Sequence, residues 1–364
     1  MLKPQAQVFA NLITQLHRDL PLEPLTRLVN LAAVAVGILG SKSLQLGQIV
    51  TALPLDGSRA TRQQRVQRFG KNAGVTVEPY SEPLARRILQ RLAAGGAQMH
   101  LTGDRPEWGD FNILDVWVGW RGRALPLLGS RLGRGAWSFA EQKARLEVSA
   151  TWLPKGAQGL LLGDRECGTG ALAQGALQPG WDLCLRLRAH GEVRRAGARP
   201  FARLPLLLPG ERRVWPHVAF THHHQVSGRT RAMYGAPRAA EPWDLLTTAP
   251  TGKLACASSA KRCRSEAMCK EFKNNGRGCG LDLPGARHAD RGARLWLALA
   301  LLYTWLLWWG AYVMATGPQQ LVANVRKPTL SLFQTGLRFV LRLGQRGQWR
   351  TFHWHLSMLT EAHD

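Results

Sequence analysis

The residues with the most chemistry in them lie in the stretch 259–276, SAKRCRSEAMCKEFKNNG. Read as one helix, it sets Arg262, Glu266, Lys270 and Lys273 at spacings of four, four and three. Side chains three or four apart are neighbours on a helix surface, so all four fall on one face. One carboxylate then stands between cations. The carboxylate can hold a divalent metal through oxygen, and the flanking Lys and Arg can hold phosphates. The plainer reading is an exposed helix with ordinary i,i+4 ion pairs, each contributing only about 0.2–0.5 kcal/mol.

Two further carboxylates stand at the ends of strand-like runs. AQMHLTGD (97–104) ends on Asp104, and the continuous apolar run QGLLLGD (158–164) ends on Asp164. Open α/β sheets place their sites at strand ends. Asp104, Asp164 and Glu266 brought together would repel unless divalent cations neutralised them. Two Mg²⁺ ions so held, with Mn²⁺ able to substitute, would activate a water or a 3′-hydroxyl for in-line attack at a phosphodiester. Glu107, Asp110, Glu166 and Glu271 lie close by in sequence and are the rivals for these places.

The elements that must position these residues can be read in order. Residues 4–95 read as helices: Pro4 to about Leu20, then a helix from Pro24 with Leu25, Leu28, Leu31, Ala32 and Val36 on one stripe, then Ser58–Lys71. The last carries Arg59, Arg62, Arg65 and Arg68 at every third residue, the pattern of an Arg-lined helix in a DNA-binding domain. A helical bundle with a solvated basic face fits it too. From about 96 the pattern changes to strands at 97–104, 111–120 and 121–129, a helix at 139–150, a strand at 158–164, a helix at 169–177 and a strand at 181–188. The Arg-, Pro- and Gly-rich residues 189–240 read as an insertion, and their run His222-His223-His224 reads as a surface loop rather than a metal site. PWDLLTT (242–248) is again strand-like, with Trp243 a possible stacking partner for an extruded base or a core residue.

Composition narrows the partners. Lys and Arg number 48 against 24 Asp and Glu, a net charge of +24 with a pI near 11.1. Such a surplus points to a polyanion, nucleic acid before an anionic membrane face. The six cysteines form no CxxC pair, which argues against a zinc ribbon and suits a reducing cytoplasm. MLKPQAQVFANL lacks the long apolar core of a secretory signal. The uncharged run 295–315 is long enough to span a membrane. Its Trp residues are spread along its length instead of at both ends, so we expect a buried helix and no membrane partner. A last helix is expected near 330–343 in a basic C-terminal segment, 318–364.

LTGDRPEWGDFNILDVWVGWRGRALPL resembles the first-Asp block of bacterial insertion-sequence transposases of the DDE type, and GLLLGDRECGTGAL resembles the second-Asp block. In those families the Glu lies in a Tyr-x2-Arg-x3-Glu-x6-Lys pattern. Arg262, Glu266 and Lys273 match it, Lys270 matches a second Lys, and Ser259 stands where the Tyr belongs. The resemblance covers roughly residues 25–345. It implies an α/β fold: an RNase H-like core with a mixed sheet flanked by helices (96–317, insertion at 189–240) behind an all-α DNA-binding domain (1–95). It implies Asp104, Asp164 and Glu266 as ligands of two Mg²⁺ ions, Arg262, Lys270 and Lys273 on DNA phosphates, and Arg59, Arg62, Arg65 and Arg68 as further DNA contacts. It implies cut-and-paste transposition by a homodimer on paired inverted repeats, in the cytoplasm on the nucleoid. A nuclease without strand transfer, or an inactive DNA-binding remnant with Ser259 as its lesion, are the alternatives.

Overall fold

The structure is a computed structural model. It describes residues 4–96, 98–104, 107–127, 131–135, 137–165, 167–187, 192–194, 202–203, 210–220, 226–234, 243–273, 278–281, 288–316, 322 and 330–346. The chain opens with helices α1 (Pro4–Asp19), α2 (Leu25–Ser41), α3 (Leu46–Thr51), α4 (Arg59–Lys71) and α5 (Val77–Ala94). The short α3 falls in a stretch whose sequence suggested no defined element. Ser58 caps α4 by accepting from the Thr61 amide. Strands β1 (Met99–Asp104), β2 (Glu107–Trp108), β3 (Phe111–Trp120), β4 (Arg123–Pro126) and β5 (Arg131–Gly133) follow. The β3–β4 turn has positive φ at both central residues, Arg121 (43°) and Gly122 (71°), which matches the right-handed twist of a two-residue hairpin.

Next come α6 (Phe139–Trp152), β6 (Gly159–Gly163), α7 (Gly170–Leu177) and β7 (Asp182–Arg186). β8 (Glu192–Arg194), β9 (Ala202–Arg203), β10 (Arg212–Phe220) and β11 (Val226–Tyr234) lie in the expected insertion, and β12 (Trp243–Thr247) closes it. Helices α8 (Gly252–Lys261), α9 (Cys263–Lys273), α10 (Ala289–Thr316) and α11 (Leu332–Arg346) complete the described chain.

The fold is mixed α/β. The sheet runs β2-β3-β1-β6-β7-β12-β11-β10-β8-β9, with β4 and β5 also on β3. β1, β6 and β7 are parallel, and β3 and β12 flank them antiparallel. Every residue of β6 is buried, which is why its sequence is a continuous apolar run and not an alternating one. The insertion does not stand apart: its strands lengthen the same sheet from β7 outward.

α10 is the central helix, packed on α2, α4, α5 and α11. It is the one helix among the described residues long and apolar enough to cross a membrane, and 72% of its apolar window is buried inside the protein. α1–α5 share a single apolar cluster with α10, α11 and the sheet. Two glycines bring α10 and α11 into close contact. A Cβ on Gly310 would lie 2.0 Å from the Leu332 carbonyl oxygen, and one on Gly336 would lie 1.8 Å from the Leu306 carbonyl oxygen.

Candidate active site

Asp104 and Asp164 come together through strand register. β1 and β6 are neighbouring parallel strands whose last pair is Thr102 with Leu162. Asp104 and Asp164 each lie two residues further on, so the chain delivers them to the same sheet edge on strands about 4.8 Å apart. The Cys167 amide donates to Asp164 Oδ1 at 3.1 Å, and the Cys167 thiol lies 3.8 Å from the Gly103 carbonyl oxygen. The loop after β6 is thus fastened across to β1. It is also pressed onto β7, since a Cβ on Gly168 would lie 2.1 Å from the Arg186 carbonyl oxygen. Asp115 is opposite Asp104 in the β1–β3 ladder and is fully buried, accepting from Trp296 Nε1 at 3.0 Å. That bond ties α10 to the strand paired with the one that carries the first aspartate.

The helix expected over 259–276 is two helices. α8 ends at Lys261, Arg262 is the turn, and α9 restarts at Cys263; residues 274–276 lie outside the described residues. The Ser265 hydroxyl donates to the Arg262 carbonyl at 2.8 Å and stabilises the break. Arg262 and Glu266 remain neighbours, with the guanidinium donating to Glu266 Oε1. Lys270 is exposed and Lys273 half-buried further along α9. The side of α9 that carries Ser265, Met268 and Phe272 is buried. Phe272 packs edge-on against Trp296 (5.1 Å between centroids) and Tyr303 (4.7 Å).

The junction of α8 and α9 meets the sheet at His100 and Gly119. Lys261 Nζ lies 3.2 Å from His100 Nε2, and the Arg264 side chain packs on Gly119. His100 is four residues before Asp104, about 13 Å along the strand. Arg262 is the polar partner of Glu266 among the described residues, and the Glu266 side chain is 45% exposed. The structure therefore brings the two aspartate positions together but keeps Glu266 on its arginine. No group of three His, Cys, Asp or Glu among the described residues is placed to hold a metal; the Asp104 side chain is not among them.

Two rivals receive other duties. Glu271 accepts from Arg123 Nε at 3.1 Å and from the Tyr303 hydroxyl at 2.7 Å, and it is 12% exposed. Burial, and then Glu271 itself, push the Tyr303 phenol well up, so it stays a proton donor. Asp110 is exposed and 3.6 Å from Arg134; Glu107 is exposed. Glu166 and His222–His224 lie outside the described residues. Ser259 is on α8, half-buried, on the far side of the helix break from Glu266.

On α4, Arg59, Arg65 and Arg68 are exposed and Arg62 is half-buried, while Val66 and Phe69 face the core. A three-residue step falls 60° short of a full turn, so Arg59 and Arg68 lie on opposite sides of the helix. The four therefore form a band that winds around α4, not a single stripe. Among the described residues none of them takes part in an ion pair.

Sequence reading passed over a second basic feature. Arg186 sits 6.0 Å over the Trp243 ring, Trp243 meets Tyr234 edge-on at 6.4 Å, and Arg212 sits 4.6 Å over Tyr234. RRVWPHVAF, with Val, Trp, Val and Phe but Pro216 inside it, held only a weak signal for one of the strands that build this row. Compared with known proteins, the chain matches no family model and returns no significant match among characterised proteins.

Proposed function

We propose that the chain is a DNA transposase with an RNase H-like core, cutting at the ends of an insertion element and joining the freed 3′-hydroxyl to target DNA. The observation that carries this reading is the strand register that sets Asp104 beside Asp164 at the ends of adjacent parallel strands. The antiparallel β3 on one side, the flanking helices and the +24 charge support it.

Paired carboxylates are hard oxygen donors suited to Mg²⁺ or Mn²⁺, so the aspartates fit the metal the reading requires. Glu266 completes the set once it leaves Arg262. When bound, two such ions supply activation of the attacking oxygen and stabilisation of the leaving one. Arg262, released from Glu266, binds a phosphate of the element's end, with Lys270 and Lys273 on the same helix. The arginines of α4 hold flanking duplex through its backbone. The protein acts as a homodimer on two paired inverted repeats, in the cytoplasm on the nucleoid.

A second reading is a DNA-binding remnant without catalysis. It is favoured by the Arg262–Glu266 pair and by Ser259 in the Tyr position of the motif. A labelled duplex carrying the DNA that flanks the gene separates the two. Metal-dependent cleavage at one defined position, lost in Asp164→Asn and in Glu266→Gln, establishes the enzyme. Specific binding without cleavage by the unaltered protein selects the remnant. Cleavage that survives Asp164→Asn removes the aspartate pair from the site.

A further inference from the structure

We infer that Arg186, Trp243, Tyr234 and Arg212 form a track for an unpaired DNA strand, leading away from the aspartate corner across the added half of the sheet. β6 and β7 end their ladder with Leu162 opposite Cys184 and Gly163 opposite Leu185, so Arg186 falls level with Asp164. β12 continues the line, with Leu245 opposite Arg186 and Trp243 two residues beyond. Tyr234 pairs with Trp243, and Arg212 pairs with Tyr234. Cation, aromatic, aromatic and cation thus follow one another over four adjacent strands, about 14 Å from first to last.

The chemistry of the row selects its ligand. Trp243 and Tyr234 are half-buried, and so is Arg186; Arg212 is exposed. Each ring has a guanidinium over it, a contact contributing only about as much as an exposed cation–π pair. A phosphate draws the guanidinium aside by a charge-assisted bond and uncovers the ring for a base. A duplex offers phosphates but keeps its bases stacked inside, so it gains nothing from the rings. An acidic peptide gains the charge alone. An unpaired strand gains both. The proposal rests on the DNA reading for its ligand, and it adds Tyr234, Arg186 and Arg212, to which neither motif nor net charge assigned a role.

The test uses the full-length protein and a short single strand, about 12 nucleotides to span one site, with one 2-aminopurine, against the duplex of the same sequence. The fluorophore is quenched when its base stacks. We expect quenching with the unaltered protein. We expect Tyr234→Leu, which keeps an apolar side chain but no stacking face, to weaken single-strand affinity by about 5- to 100-fold with the duplex unaffected. Arg212→Gln lowers the slope of log affinity against log salt by about 0.7 for the single strand. Melting curves confirm that each variant folds; where Tyr234→Leu does not, Trp243→Phe replaces it, with a smaller loss expected. Unchanged single-strand affinity in folded variants overturns the track. Equal losses on single strand and duplex also overturn it, since that is bare electrostatics. Cleavage of the flanking duplex by the unaltered protein is measured in parallel, so that failure of the track and failure of the transposase reading appear in different assays.

Discussion

Two arginine–carboxylate pairs in this molecule have the same chemistry and opposite settings. Arg231 on β11 grips Asp244 on β12 with both ends of its fork, Nε to Oδ1 at 2.7 Å and Nη2 to Oδ2. Their side chains are 1% and 6% exposed. Arg262 grips Glu266 across a helix break, with side chains 16% and 45% exposed. The buried pair cannot exchange partners, because either charge left alone in the core costs several kcal/mol. The half-exposed pair loses little on parting, because water takes over much of the interaction. One pair holds the sheet extension together. The other can part at little cost, as the proposed exchange for a phosphate and a metal ion requires.

The sharpest break in this comparison is Asp244→Ala. It removes the buried carboxylate partner of Arg231 and should cost about 3–5 kcal/mol, read as a lower denaturant midpoint. A loss of stability under about 1 kcal/mol, the range of an exposed pair, would erase the contrast. Glu271→Gln comes next. It weakens the bonds from Arg123 and Tyr303 and should cost about 1.5–3 kcal/mol, while folded protein should keep the proposed metal-dependent cleavage. Loss of cleavage at unchanged stability would move the proposed catalytic role from Glu266 to Glu271. Glu266→Gln should change stability by less than about 0.5 kcal/mol and abolish cleavage. The smallest effect is on α4. Replacing Arg65 and Arg68 by Ala should leave the fold intact and reduce the salt slope for duplex binding by about 0.9 for each phosphate no longer neutralised. An unchanged slope would leave that band as a solvated face.

Much of the frame was readable from residues alone. The apolar run 158–164 specified a strand buried on both faces, and it is β6. Strong alternation at 111–120 specified β3. The aspartates were legible because each closes such a run. The break at Arg262 was not, because Lys261-Arg262-Cys263 contains no Gly or Pro and each residue is acceptable inside a helix. The early start of α8 had a local signal in Thr251, which accepts from the Leu254 amide as an ordinary N-cap. The level at which α9 meets the sheet depends on Arg264 packing against Gly119 and on Phe272 between Trp296 and Tyr303. Packing between segments so distant along the chain leaves no local pattern.

The arrangement of α1, α2, α10 and α11 bears on how the chain folds as it is made. α2 is buried along most of its length, and its partners include α10; α1 touches α11. During synthesis α1 and α2 therefore wait for residues 289–346 before their apolar surfaces are covered. Loop closure over so long a sequence separation is slow, and it leaves exposed hydrophobic surface open to aggregation in the interval. The tight seam at Gly310 and Gly336 then acts late. It lets α11 settle onto α10 and close a core that α1 and α2 began.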